Sequence, residues 1–278
     1  MLISCIQVNP QENVRENLKV IINYIFEAAK LGSEIVVLPE MFTFMGNELD
    51  RKKTKDQINE GVFAEVQAVA KQLNIYLIAG SHSEKIQNNE NKVYNTSVTY
   101  NPEGEIINVY RKQHLFNLKD KEGKSLYCES DTFEFGSSPI PYFMKTKNNQ
   151  EWNALNIICY DLRFPEIVRS QAAKFTNNFD IIFVPAAFTW QTGKEHWEIL
   201  LRARAIENQC YVVACNQTGY FYNQQKRNYG HSMIVDPWGN IVARLEEECG
   251  LLSCEISKES IELSRIRLPA LQDRKIFG

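Results

Sequence analysis

The sequence predicts an α/β fold: a four-layer α-β-β-α sandwich with an internal pseudo-two-fold. Two observations carry that expectation. Short runs rich in β-branched residues alternate with stretches whose apolar residues recur at helical spacing. The same order of runs then occurs a second time, which implies two β-α-β-α-β-β halves, each a sheet with helices on one face, packed sheet against sheet. Residues 1–278 form a single domain on this reading, an ordinary size for one α/β unit.

The first half begins with a weakly alternating strand over 2–8, followed by Val14, Leu18, Ile21, Ile22, Ile25 and Ala29 at helical spacing up to Lys30. The compact run Glu34 to Leu38 is the next strand, closed by Pro39 and Glu40. A Lys-rich stretch from Asp50 to Asn59 reads as a surface loop. A helix over 62–73 and a strand over 75–79 come next. Strands at 94–100 and 105–111 then flank Asn101-Pro102-Glu103-Gly104, whose Pro and Gly suit a type I turn and hence a hairpin.

The second half follows the same plan. A strand over 155–159 leads to a helix opened by Pro165, with Ile167, Val168, Ala172 and Phe175 on one face, and then to a strand over 181–184 that ends at Pro185 as the earlier one ended at Pro39. A helix over 197–207, a strand over 211–214 and strands at 232–235 and 241–245 around Asp236-Pro237-Trp238-Gly239 complete it. Tyr94 to Pro102 and Tyr229 to Pro237 have the same spacing. Residues 119–149 read as an irregular connection, often functional in a compact enzyme. The piece from Ile256 onward has no counterpart in the first half and is expected to pack on a partner subunit.

Composition excludes several classes. The formal charge is −3, from 31 basic and 34 acidic residues, so no basic field for nucleic acid exists. No apolar run is long enough to span a bilayer, and the N-terminus lacks the basic region of a signal peptide, so no membrane association is expected. Seven scattered cysteines without a C-x-x-C pair suggest neither a disulfide framework nor a zinc site. The expected protein is reduced and cytoplasmic, with no metal.

Three polar residues close strands at the edge where α/β sheets gather their ligand sites: Glu40, Lys112 and Cys159. Taken singly, each has a plain structural reading as a solvated strand end or an inert buried thiol. Together they supply a base, a cation and a nucleophile, the set that acyl transfer through a thioester needs. Arg163 suits either a clamp for a substrate carboxylate or an ion pair with Asp161 or Glu166. Thr189, at the end of the strand that mirrors Glu40's, and Tyr160 are candidate substrate contacts. His82, His114, His196 and His231 read as structural, because no His-x-x-x-His or Asp pairing is visible in the chain.

Leu38-Pro39-Glu40, Tyr110-Arg111-Lys112-Gln113-His114-Leu115 and Cys159-Tyr160-Asp161-Leu162-Arg163-Phe164-Pro165-Glu166 resemble the signature motifs of the nitrilase, or carbon-nitrogen hydrolase, superfamily in order and spacing. The resemblance implies a Glu-Lys-Cys triad of Glu40 as base, Lys112 as oxyanion stabiliser and Cys159 as nucleophile. It also implies no cofactor and a homodimer or larger homo-oligomer. Glu129 resembles the family's second glutamate, which positions the lysine and the substrate amide. Tyr127-Cys128-Glu129-Ser130, the segment 196–207 and the segment 229–239 look like the amidase branch that contains deaminated glutathione amidase and ω-amidase. The implied activity is hydrolysis of a small carboxylate-bearing linear amide with release of ammonia, deaminated glutathione leading. Alternatives are an ω-amidase for 2-oxoglutaramate or 2-oxosuccinamate, an N-carbamoyl amidase, and a catalytically silent binding scaffold.

Overall fold

The computed structural model describes residues 1–174 and 178–275. One sheet runs in the order Gly250–Glu255, Leu2–Gln7, Ile35–Val37, Tyr76–Ile78 and Asn89–Tyr100, with His82–Ile86 and Ile106–Arg111 also pairing to the long strand. The other runs Tyr142–Lys145, Glu151–Asn156, Ile181–Ala186, Tyr211–Asn216, Met233–Val235 and Ile241–Arg244. Each sheet has a parallel centre of three strands, then an antiparallel hairpin. The duplicated plan of the sequence is therefore a duplicated topology.

The side-chain alternation of each strand builds the four layers. Val36 and Leu38 face helices α1 (Val14–Lys30) and α2 (Gly61–Leu73), while Ile35 and Val37 face the opposing sheet. In the second half Ile182 and Val184 face helices α3 (Pro165–Lys174) and α4 (Trp190–Asn208), while Ile181 and Phe183 meet the first sheet. The Cys215 thiol lies 3.2 Å from the carbonyl oxygens of both Ile6 and Val37, across the dry interface between sheets. Both predicted hairpins close alike: Gly104 N–H donates to Asn101 O and Gly239 N–H to Asp236 O, each at 2.9 Å. Both glycines have positive φ, at 79° and 90°, a conformation that carries little steric cost only without a Cβ.

Several expectations change. Gly250–Glu255, just before the tail, pairs with the first strand, and the tail itself begins on its own chain, with Ile256 and Ile261 buried between the sheets while Ile266 and Leu268 are exposed. Helix α5 (Lys258–Arg267) is tied down by Lys258 to Asp180 at 2.5 Å. Helix α4 begins at Trp190 rather than Trp197, because its first turns are polar and show no apolar period. The stretch 119–149 holds the hairpin Asn117–Lys119 with Ser125–Cys128, a 3-10 turn at Glu129–Asp131 and an edge strand at 142–145. The Lys-rich loop starts as a 3-10 helix, Glu48–Thr54, with Arg51 turned inward and 6% exposed. The strand at Cys159 stops at Asn156, and the apolar Ile157 and Ile158 are buried beyond the ladder. Phe175 lies outside the described residues.

The layers end in a rim where the chain must pass close to itself. A Cβ on Gly80, which sits at φ +39°, would fall 1.9 Å from the Pro39 carbonyl oxygen, one residue before Glu40. Gly80→Ala should therefore cost about 3 kcal/mol and lower Tm by roughly 6 to 12 °C in calorimetry. A Tm within about a degree of the parent would contradict this account of the rim.

Candidate active site

Glu40 follows the strand Ile35–Val37 and points its carboxylate into the rim between the sheets, 2% exposed. Its Oε1 accepts from Lys112 Nζ and from Asn95 Nδ2, both at 2.8 Å, and its Oε2 accepts from the Ala187 N–H at 2.9 Å. Those donors belong to the long strand of the first sheet, the end of its neighbour and the end of Ile181–Ala186 in the second sheet. Gln217 Nε2 donates to the Glu40 carbonyl at 2.6 Å, fixing the backbone from the same side.

Lys112 is 1% exposed and lies between two carboxylates. Besides Glu40, its Nζ donates to Glu129 Oε1 at 3.0 Å and Oε2 at 2.8 Å. Glu129 sits on the 3-10 turn after Cys128, and its Oε2 also accepts the Phe116 N–H at 2.7 Å. The sequence alone offered no Coulombic reason for Glu129. Its reason is the buried ammonium.

Cys159 opens a 3-10 turn, Cys159–Arg163, with φ +45°. A left-handed cysteine costs roughly 1 kcal/mol, and Asp161 over-determines the conformation. Asp161 is fully buried: Oδ2 accepts Ile158 N–H at 2.9 Å and Tyr110 O–H at 2.6 Å, and Oδ1 accepts His114 N–H at 2.9 Å. Its carboxylate also meets His114 Nδ1 at 2.8 Å. Asp161 thus staples the turn to the segment carrying Lys112. The pairs His114–Asp161 and His82–Asp56 are Asp-His pairs the sequence did not reveal, and none of these four residues lines the cleft at Cys159.

Burial raises the Glu40 pKa, but the Lys112 charge and hydrogen bonds from Lys112 and Cys159 outweigh it, so Glu40 is held below its ordinary value. Burial also dominates Glu129, joined by the charges of Glu40 and Glu48, and there it wins over Lys112: the pKa is raised. Burial works against the charged form of Lys112, yet Glu129 and Glu40 together hold it well above normal. The Cys159 thiol is pushed well up by burial and by Glu40, against the pull of Lys112. The resting site is a neutral thiol beside an ionised Glu40 and an ammonium. That arrangement can move a proton from sulfur to carboxylate as the sulfur attacks an electrophilic carbon.

A cleft of two lobes meets at Cys159, and Phe116, Ala187 and Thr189 border both. The first lobe adds Tyr160, Arg163, Phe188 and Thr192; the second contains Glu40, Lys112 and Glu129. Glu40, Lys112, Glu129, Cys159, Tyr160, Arg163 and Thr189 are therefore brought together. Among the described residues Arg163 forms no ion pair; its Nη1 lies 3.2 Å from His196 Nδ1 and its guanidinium stacks 5.1 Å from the Phe188 ring centre. The expected alternative partners, Asp161 and Glu166, do not engage it, because Asp161 is spent on the turn. Asn95 and Phe116 were missed, although buried polar Asn95-Thr96-Ser97 inside a strand was a readable signal; Met45, in the loop after Glu40 that the sequence places at the pocket wall, does line the cleft. Among the described residues no group of three or more His, Cys, Asp and Glu side chains is arranged to hold a metal ion, and no helix is long and apolar enough to cross a membrane.

This geometry agrees with comparison to known proteins. The carbon-nitrogen hydrolase family matches residues 2–266, and the chain belongs to that family. It is a hydrolase of carbon–nitrogen bonds other than peptide bonds, of the amidase kind. It is 37% identical over 274 residues to deaminated glutathione amidase of Synechocystis sp. (strain PCC 6803 / GT-S), covering 98% of this chain and 97% of that one. With deaminated glutathione amidase of Homo sapiens it shares 34% over 277 residues, 99% of this chain and 82% of the relative. Among solved structures, Saccharomyces cerevisiae Nit3, a member of branch 10 of the nitrilase superfamily, superposes with a TM-score of 0.83 at 29% identity, covering 97% and 94% of the two chains. The C. elegans NitFhit protein gives 0.86 at 32% identity, covering 99% of this chain and 65% of that one.

The two carboxylates that share Lys112 titrate as a unit, and the first proton goes to Glu129, whose pKa lies above the ordinary 4.5. Protonation there loosens Lys112 while Glu40 is still ionised. The acid limb of kcat/KM should therefore fall above the ordinary glutamate range, and Glu129→Gln, which cannot titrate, should move it downward. A limb unchanged by that substitution would contradict the assignment.

Proposed function

We propose that the protein is a cysteine-dependent amidase in which Cys159 attacks the amide carbon of a small carboxylate-bearing linear amide. Glu40 is its base, Lys112 stabilises the oxyanion and Glu129 holds Lys112 in place. The observation that carries this reading is the meeting of a buried thiol, an ionised carboxylate and an ammonium where two lobes of one cleft join. As the sulfur–carbon bond forms, the thiol proton passes to Glu40, and the oxygen that gains charge faces Lys112 and a backbone N–H following Cys159. Glu40 protonates the departing nitrogen as the carbon–nitrogen bond breaks, leaving a thioester. Water then gives a proton to Glu40 and adds to the thioester carbon. Collapse expels the sulfur, which recovers that proton, and the acid is released.

Deaminated glutathione is the leading substrate, supported by the names of relatives at 34% to 37% identity and by an Arg163 unclaimed by internal acids. Its oxo-acid part is joined through a secondary amide, so hydrolysis releases the amine cysteinylglycine. The ammonia expected from the sequence belongs only to primary amides such as 2-oxoglutaramate. The reading includes a cytoplasmic homo-oligomer, supported by seven free thiols and by the exposed Ile199, Ile206, Trp238 and Ile266.

The test is product analysis on deaminated glutathione, 2-oxoglutaramate, an N-carbamoyl amino acid and a simple nitrile, with Cys159→Ala alongside. Cysteinylglycine release should lead the panel, and Cys159→Ala should lose roughly 10⁴-fold or more with its melting temperature preserved. Undiminished turnover in that variant would overturn the mechanism; preference for 2-oxoglutaramate would move the substrate to an ω-amidase's.

A further inference from the structure

A substrate whose amide carbon sits at the Cys159 sulfur has to send its acyl part into one lobe and its leaving nitrogen into the other. Glu40 and Glu129 line only the second lobe, and the nitrogen that takes a proton from Glu40 must face it. The acyl part then lies in the first lobe with Arg163.

The second lobe also carries two cations the chemistry at Cys159 does not use. Arg51 is 6% exposed, and its Nε is buried without a hydrogen-bond partner. Its other guanidinium nitrogens reach Glu48 Oε1 and the Met45 sulfur only at 3.5 Å each, and the group lies 5.7 Å from the Phe133 ring centre. Lys226 Nζ stands 4.1 Å over the Tyr127 ring and, among the described residues, forms no ion pair. Glu48 is the carboxylate paired with Arg51 there, and the Arg51 charge also acts on Glu40 in the same lobe. Burial of a cation without its acceptors is costly, and a ligand carboxylate removes that cost. Burial depresses the Lys226 pKa, and Arg51 adds to that effect against the pull of Glu48, the direction an incoming anion would reverse.

We propose that Arg51 and Lys226 anchor a carboxylate on the leaving amine, so that the enzyme selects secondary amides carrying an anionic group on each side of the scissile bond. The proposal rests on the amidase reading above for the direction in which the substrate lies. Arg163 serves the acyl carboxylate, and Arg51 with Lys226 serves the amine's. A peptide-like leaving group ending in a free carboxylate has this chemistry.

The test separates anchoring from turnover. Binding of deaminated glutathione, and of the same molecule with its terminal carboxylate converted to a carboxamide, is measured by calorimetry on the Cys159→Ala protein. The acid should bind about tenfold or more tightly than the carboxamide, as expected for a charge-assisted pair. Adding Lys226→Met or Arg51→Gln should bring that ratio close to one, as a double-mutant cycle requires. Lys226 stands at the cleft wall, so its variant keeps the test decisive if the buried Arg51→Gln fails to fold. Equal binding of the two probes, no binding of either, or a ratio that survives both substitutions would overturn the anchor. A preserved ratio with no turnover by the active enzyme would sink the amidase reading of this substrate and leave the anchor standing. Turnover without the preference would do the reverse.

Discussion

The ammonium of Lys112 is the charge on which the rest of the structure depends. It is buried between Glu40 and Glu129 and bonded to both. Taking three ionised groups out of water costs several kcal/mol each, and the arrangement is tolerable only when the remaining lone pairs find donors. They do: Asn95, the Ala187 N–H and the Phe116 N–H complete the set. Each of those donors comes from a different element, so the cluster can exist only where both sheets have already been brought to one rim.

That requirement explains why the sandwich and the site are inseparable. The strands Ile35–Val37 and Ile181–Ala186 occupy corresponding places in the two halves, and their continuations touch through the Ala187 N–H and the Glu40 carboxylate. The dry layer of Ile35, Val37, Ile181 and Phe183 sets the distance between the sheets, and the polar rim forms where that layer ends. Asp161 performs the same service for sulfur, holding a left-handed cysteine against the segment that bears Lys112. Electrostatics then assign the protons. Lys112 outweighs burial to hold Glu40 below its ordinary pKa, and burial pushes the Cys159 thiol well above its own, the proton distribution on which the proposed attack rests.

Much of this was legible in the chain because it rests on local signals. Apolar periods gave the helices and the duplicated order, Pro-Gly turns gave both hairpins, and polar residues at strand ends gave Glu40, Lys112 and Cys159. Tertiary relations were not legible. The strand Gly250–Glu255 has no local mark that it will pair with residues 2–7, far away in sequence. In the first turns of α4 only Thr192 borders the cleft while Gln191, Lys194, Glu195 and His196 face solvent, so no period announces them. Arg51 sits in a Lys-rich run that reads as solvated, and only its neighbours Met45 and Phe133 turn it inward. Charged residues drawn inside by a ligand site break the rule that identifies surface, and they are where reading from sequence fails.

The central claim is that acyl transfer passes through a thioester on Cys159, and mass spectrometry of the acid-quenched enzyme during turnover of deaminated glutathione tests it most directly. The account predicts a peptide containing Cys159 that is heavier by the 2-oxoglutaryl group, absent in Cys159→Ala. Steady release of cysteinylglycine with the acyl group on another residue would contradict it.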